Sequence, residues 1–421
     1  MQPPALRFPA LPLRCRPIVF RYRPLIFAYV LFMGAVTVGE CLNEIGTQDG
    51  WRLGDWLINY HAGFVRRGLP GEIALRLAHG LHLPSPVLVV VLAQIVCYGI
   101  LFWAIDRLLR PTRLDFWTLA CVLSPATLAF QFLVTGGGFR KEILLLAGLS
   151  ALILWMRKAS VPRPGLVVFL SVFGVVCALS HEGLIAYLPY VVAALVIGLE
   201  SVTEALQVSA IPAVLTLIAG AVALHFRGDM QTVQGVCSAL GYRITDPLPE
   251  MCFGAIRQLS FSREYAHADM LRYVHYGHFL RIYGILTPLA LLAPAMELRA
   301  IRRRGQEERG VRAVVVCALV ACLLSGPLFW VASDWGRWIY IHVMCLFLLV
   351  LQMEWKRQAA GVASLPVAEP VTGRRPRALG YAFLVLYATT WILPFTGPLR
   401  WPWGYEQMLV LSLHKDAPEA R

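Results

Sequence analysis

The stretch "SPVLVVVLAQIVCYGILFWAI", Ser85–Ile105, contains no charged side chain. About 20 apolar residues wound as an α-helix span the hydrocarbon core of a bilayer, so this segment reads as a membrane crossing. Comparable runs lie near residues 24–43, 116–134, 143–157, 165–179, 183–198, 209–225, 279–298, 313–332, 338–353 and 379–395. The 421-residue chain is 58% hydrophobic and 15% charged, with a mean hydropathy of +0.62. A soluble domain carries about 25% charged residues. The expected fold is therefore an all-α polytopic membrane protein with about eleven transmembrane helices, the shorter runs allowing ten to twelve.

Orientation follows from the excess of Lys and Arg in short cytoplasmic loops. The first 23 residues carry Arg7, Arg14, Arg16, Arg21 and Arg23, which places the N-terminus in the cytoplasm. Counting alternately, the other inside loops hold Arg107, Arg110 and Arg113, then Arg157, Lys158 and Arg163, then Arg299 and Arg302 to Arg304, then Arg374, Arg375 and Arg377. This distribution absorbs most of the net charge of +13, and nucleic acid is not needed to explain it. Glu40 precedes Cys41 where a lipoprotein signal needs a small residue, and the Arg66–Arg67 pair follows the first span. Neither is read as a signal for processing or export.

Three regions follow from this topology: a basic cytoplasmic segment 1–23, a transmembrane domain 24–395, and a periplasmic tail 396–421. Two outer loops, 44–84 and 226–278, are long, whereas the inside loops are brief apart from a Pro/Gly-containing linker around 356–378. In the first outer loop Trp56, Tyr60 and Phe64 recur every four residues, the spacing of one helical stripe. Gly68, Pro70 and Gly71 interrupt it before a second amphipathic stretch. Two short interfacial helices joined by a Gly/Pro turn are the expected arrangement.

Four charged words end up at the outer ends of spans: "DWLINYHAGFVRRGLPGE" (Asp55–Glu72), "TGGGFRKE" (Thr135–Glu142), "SHEG" (Ser180–Gly183) and "SDWGRW" (Ser333–Trp338). Each has a plain structural reading. Arg66 and Arg67 would meet lipid headgroups, and Arg140 and Lys141 would snorkel outward from a glycine turn. Ser180 or Glu182 would cap a helix, and Asp334 would cap the next and pair with Arg337. Together they suggest more, because basic groups at outer span ends run against the positive-inside bias. Arginine forks suit phosphate oxygens, which makes Arg66, Arg67, Arg140, Lys141, His181 and Arg337 candidate anion-binding residues, with Trp56 and Tyr60 lying against a chain or sugar ring. Asp55, Glu182 and Asp334 are the candidate catalytic carboxylates, with Asp49 nearby.

Of the ten cysteines, Cys237 and Cys252 share the second outer loop and are a disulfide candidate in an oxidising compartment. No cysteine spacing resembles a zinc site. The span interiors hold almost no ionisable residue, His342 being the nearest exception, and no internal repeat is evident. Both features disfavour an ion-coupled carrier.

With "GFVRRGLPGE", "GGGFRKE", "SHEG" and "DWGRW" on one outer face, the chain resembles bacterial envelope-polysaccharide membrane proteins: the Wzy-type O-antigen and exopolysaccharide polymerases and the GT-C class of glycosyltransferases. That resemblance implies a polyprenyl-diphosphate-linked glycan used at the periplasmic face of the bacterial inner membrane. It also implies an acidic residue of the first outer loop, Asp55 or Asp49, in catalysis, and outer-loop arginines (Arg66, Arg67, Arg140, Arg337) handling the anionic donor. A divalent metal at Asp55 or Asp334 is compatible but not required. Two other classes share these features: a flippase or exporter of lipid-linked glycan, and a non-catalytic membrane component docking with envelope-assembly partners.

Overall fold

A computed structural model describes residues 23–112, 114–134, 136–158, 161–243, 245, 247–276, 278–304, 308–359 and 374–395. The expected tail 396–421 and nearly all of the basic segment 1–23 lie outside these residues. The described residues form helices and loops and contain no strand. Among the described residues, eight helical segments are long and apolar enough to cross a membrane.

The chain passes repeatedly between two ends of one bundle. α1 (Arg23–Asn43) leads to a short turn of helix, then to α2 (Arg52–Leu57) and α3 (Leu69–Gly80), before α4 (Pro86–Leu109) returns. Ser85 caps α4 by accepting from Val87 N–H at 3.2 Å, and Pro86 occupies the first turn, where no amide donor is needed. The expected crossing at 116–134 is not one helix. It divides into α5 (Phe116–Leu123) and α6 (Phe130–Leu133) around Ser124 and Pro125. Pro125 cannot continue the amide ladder. Thr127 Oγ1 donates among the freed carbonyls, 2.8 Å from Cys121 O and 2.9 Å from Ser124 O. A broken helix survives at membrane depth when such side chains satisfy its backbone.

α7 (Glu142–Trp155), α8 (Arg163–Ser180), a 3₁₀ turn running into α9 (Pro189–Leu199), and α10 (Val202–His225) continue the alternation. The helices approach closely where glycine permits: a Cβ on Gly174 would stand 2.0 Å from Thr216 Oγ1, and one on Gly148 would stand 2.1 Å from the Phe173 ring. Small residues serve helix contacts in this way where apolar solvent gives no hydrophobic drive. Beyond α10 come α11 (Met230–Ala239), α12 (Glu250–Phe253) and α13 (Arg263–Tyr276). Then α14 (Phe279–Arg303), α15 (Glu308–Val331), α16 (Trp335–Ala359) and the shorter α17 (Arg374–Thr389) complete the bundle.

α16 is the axis, buried along almost its whole length. The outer helices turn aliphatic side chains outward, among them Leu217 on α10 and Leu323 on α15, as lipid-facing surfaces require.

The two long connections interlock into a cap over one end. Ile58 and Val65 from the first pack with Val233, Val236, Ile256 and Leu259 from the second, and a disulfide joins Cys237 to Cys252. Glycine is required where they meet, because a Cβ on Gly254 would lie 2.3 Å from Gly50 O. The opposite end has its own centre, missed by counting arginines for orientation alone. There Arg304 reaches Asp115 at 2.5 Å, Glu354 at 2.7 Å and Glu297 at 3.5 Å.

Candidate functional site

Under the cap, the four charged words meet. α2 ends at Leu57, so the expected stripe of Trp56, Tyr60 and Phe64 does not form. Trp56 is instead buried and donates its indole N–H to Phe139 O at 3.0 Å, while Tyr60 stacks on Phe64, ring centroids 4.9 Å apart. α2 is likewise a core element rather than an interfacial one, with Asp55, Trp56 and Leu57 all buried. Arg140 and Lys141 do not snorkel outward: they are 4% and 0% exposed.

Two residues other than glycine hold left-handed backbone here, Arg67 at φ 66° and Phe139 at φ 59°. Such conformations cost roughly 1–3 kcal/mol each and persist where surroundings over-determine them. At Phe139 the surroundings are explicit. Its carbonyl accepts from Trp56 Nε1 and from Gln94 Nε2 at 2.9 Å, and its N–H donates to Tyr98 Oη at 3.1 Å. Gln94 and Tyr98 lie one turn apart on α4, on one face. That pairing of polar residues inside an apolar run was the sequence signal for them.

This clamp sends the next three residues inward. Lys141 Nζ donates to Arg67 O at 2.8 Å and lies 3.7 Å from Asp55 Oδ1. Arg67 grips Glu182 through Nε at 3.0 and 3.1 Å and through Nη2 at 2.7 Å. Arg66 is 3.5 Å from the same carboxylate. Arg337 joins Glu142 at 2.6 Å and Asp334 at 2.8 Å, and its guanidinium lies over the Trp338 ring at 4.5 Å. His181 caps its own turn, Nδ1 accepting from Gly183 N–H at 3.1 Å, while Nε2 stands 3.4 Å from Arg337 Nη2. Glu142, with no assigned role in the sequence reading, is thus a central partner. A carboxylate opening an uncharged apolar helix was its visible mark.

The electrostatics are those of charges taken from water. Burial alone would raise the Asp55 carboxyl, yet the cations Lys141, Arg140 and Arg67 bring it down from 3.8 to about 2. Burial pushes the Lys141 ammonium from 10.5 to about 8 against the pull of Asp55. Burial also holds His181 well below its ordinary value, with Arg67 adding to the effect, so the ring is neutral. Five cations (Arg66, Arg67, Arg140, Lys141, Arg337) thus face four carboxylates (Asp55, Glu142, Glu182, Asp334).

Arg140 is the cation left over. Among the described residues no carboxylate lies within salt-bridge distance of it, and its Nε has no hydrogen-bond partner. Its Nη2 reaches Gly136 O at 3.5 Å, and its guanidinium faces Trp51 and Phe395 at 5.9 and 5.7 Å. Burial and neighbouring Arg337 lower its pKa, and the more distant carboxylates of Asp334, Asp55 and Glu142 offset this only in part, but a guanidinium remains charged. The carboxylates differ in access. The Asp334 side chain is 23% exposed, against 2% for Asp55, 4% for Glu142 and 10% for Glu182. Asp49 stands apart, accepting from the Trp51 and Arg52 amides at 2.8 and 2.9 Å.

Among the described residues no group of three or more His, Cys, Asp or Glu is arranged to hold a metal ion. Metal assistance through Asp55 or Asp334 would require displacing Lys141 or Arg337. These features define a helical membrane protein with a charge cluster buried at one end of its bundle. Searches of protein-family models, curated proteins and solved structures find no match to the chain.

Proposed function

We propose that the protein is a glycosyltransferase or polysaccharide polymerase of the bacterial inner membrane, taking a polyprenyl-diphosphate-linked glycan at the periplasmic face. The orientation rests on the arginine-rich end of the bundle, with Arg107, Arg157, Arg163 and Arg302 to Arg304, facing the cytoplasm. The capped end then faces the periplasm, where a disulfide is stable. Eleven crossings result when α7, α17 and the broken α5–α6 segment are counted with the eight long ones.

The observation that carries this reading is Arg140, a buried cation without a carboxylate partner beside Arg337. A diphosphate would supply the missing negative charge. In the transfer, the bond between the anomeric carbon and the diphosphate oxygen breaks and its electron pair stays on the phosphate. The acceptor hydroxyl oxygen forms the new bond and gives its proton to a carboxylate. Arg140 and Arg337 stabilise the charge growing on the leaving group. Asp334, the most accessible of the four carboxylates, suits the base, a role worth about 10²–10⁴-fold. Asp55 is sealed beneath Lys141 and sets the field of the site. Glu182 is occupied by Arg67 and positions it.

The test is mass spectrometry of lipid-linked glycans in a deletion strain complemented with variants. One lipid-linked species accumulates and long polymer is lost, with rescue by wild type but not by Arg140→Ala. Asp334→Asn binds donor yet fails to transfer. Full rescue by Arg140→Ala overturns the reading. Activity that depends on the arginines but not on Asp334 would instead mean a flippase, and dependence only on the 226–278 cap would mean a docking component.

A further inference from the structure

A cavity of about 610 Å³ lies between α14, α15 and α16, within the apolar part of the bundle. α14 and α15 both lean on α16 and touch each other little. Leu280 and Leu319, on the two walls, are 71% and 61% exposed, so the cavity opens sideways onto the surface that lipid covers. Gly284 leaves its wall open, with nothing within 4 Å of where a Cβ would stand. The polar groups at its floor satisfy one another: His342 Nδ1 is 2.7 Å from Tyr190 Oη, and Nε2 is 3.0 Å from Ser325 Oγ. What remains to be filled is hydrocarbon space.

The α14 wall runs from Leu280 to Leu298, about 27 Å at 1.5 Å per residue, close to the roughly 30 Å of a bilayer core. Its upper end is formed by Phe329 and Trp335. At the same end Tyr283, also on the α14 wall, donates its hydroxyl to Pro394 O at 3.0 Å and Phe395 O at 3.2 Å, and the Phe395 ring lies 5.7 Å from the Arg140 guanidinium. A chain lying in this groove therefore ends beside the Phe395 segment that Arg140 faces.

We infer that the α14–α15 groove holds the long hydrocarbon chain of the phosphate-headed donor, an inference that rests on the function proposed above and adds a second, tail-binding site to it. A bulk phospholipid could fill the same space, but the groove's end at Tyr283, against the Pro394–Phe395 segment that Arg140 faces, favours a chain whose head is bound at the cluster.

The experiment uses the purified full chain in nanodiscs, with a polyprenyl diphosphate bearing a photoreactive diazirine in its chain. The label is expected on peptides of the α14 and α15 walls and is competed by unlabelled polyprenyl diphosphate. Gly284→Leu, which fills the open wall and raises helix propensity, lowers wall labelling about tenfold, equivalent to about 1.4 kcal/mol, and leaves inorganic diphosphate binding as in wild type. Ala318→Phe, filling from the α15 wall, gives the same loss. Labelling elsewhere with diphosphate binding intact overturns the groove and leaves the cluster's role standing. Wall labelling by a photoreactive phosphatidylglycerol that excess polyprenyl diphosphate does not displace overturns it too, in favour of bulk lipid. If neither polyprenyl nor inorganic diphosphate binds the wild type, the proposed function fails and the groove's assignment falls with it.

Discussion

Lys141 and Asp55 are sealed together beneath the cap, Nζ 3.7 Å from Oδ1, with side-chain exposures of 0% and 2%. Truncating a fully buried lysine leaves a cavity and takes from the buried Arg67 carbonyl its donor, a loss of about 2–5 kcal/mol. Lys141→Ala is therefore expected to lower the thermal unfolding temperature in detergent sharply. The double substitution Lys141→Met with Asp55→Leu recovers most of that loss. A double variant no more stable than Lys141→Ala would mean that the pair does not act as a unit.

The same lysine gives opposite pH trends for stability and binding. Its folded value of about 8 lies below the ordinary 10.5, so between these the unfolded chain holds a proton that the folded one has shed. Stability from this group is least below pH 8 and rises as pH climbs from about 8 to 10.5, by on the order of 3 kcal/mol. Deprotonation across pH 8 also removes one positive charge from the site, so diphosphate binding weakens there. Calorimetric titration with inorganic diphosphate from pH 7 to 9.5 checks this, and Lys141→Arg should flatten the step in binding.

The Phe139 clamp makes a separate prediction. Tyr98→Phe removes the acceptor of the Phe139 N–H, leaving a buried donor unpaired at a cost of about 1–3 kcal/mol. Gln94→Leu should cost less, because Trp56 still donates to the same carbonyl. Both substitutions lie outside the charge cluster, yet Tyr98→Phe should weaken diphosphate binding by releasing the turn that aims Arg140. Unchanged binding in a destabilised Tyr98→Phe protein would separate the clamp from the site.

Hydropathy made the long helices legible, since a run such as Ser85–Ile105 can bury its backbone polar groups in lipid only as a helix. Alternating the spans also brought the four charged words to one end, which needs only an unbroken count. Hydropathy could not see the break at Ser124–Pro125, because both halves stay apolar. Periodicity misread Trp56, Tyr60 and Phe64, because a four-residue spacing presumes a helix and α2 stops at Leu57. The pairing of Arg67 with Glu182 joins residues 115 apart in sequence, and the Arg304 centre joins three elements. Such partners are set by tertiary packing, which a single sequence does not encode in any local pattern.

The disulfide bears on the cap alone. Cys237 and Cys252 are 15 residues apart, and closing a loop of about that length is worth roughly 3 kcal/mol in the chain-entropy account. Replacing both cysteines with serine should raise amide hydrogen exchange across 226–261 and around Ile58 and Val65, which share its core. Exchange in α16, the buried axis, should stay unchanged. Equal loss of protection in α16 would mean that the cap and bundle unfold as one unit.

Arg304 governs the other end. Its guanidinium reaches carboxylates from α14, α16 and the cap of α5, and Glu354 is further held by Arg357 at 2.8 Å. Arg304→Ala would leave Asp115 and Glu297 facing each other without their cation, a loss of about 3–5 kcal/mol by the same reasoning as for any broken buried pair. Arg304→Lys keeps the charge but loses the planar fork, so it can serve one carboxylate well and should recover only part of the stability. Thermal unfolding of both variants in detergent gives the order wild type, Lys, Ala. Because this centre is at the far end of the bundle from Arg140, the folded fraction of either variant should bind inorganic diphosphate as wild type does. Weakened binding by well-folded Arg304→Lys would show that the two charge clusters are coupled through α16.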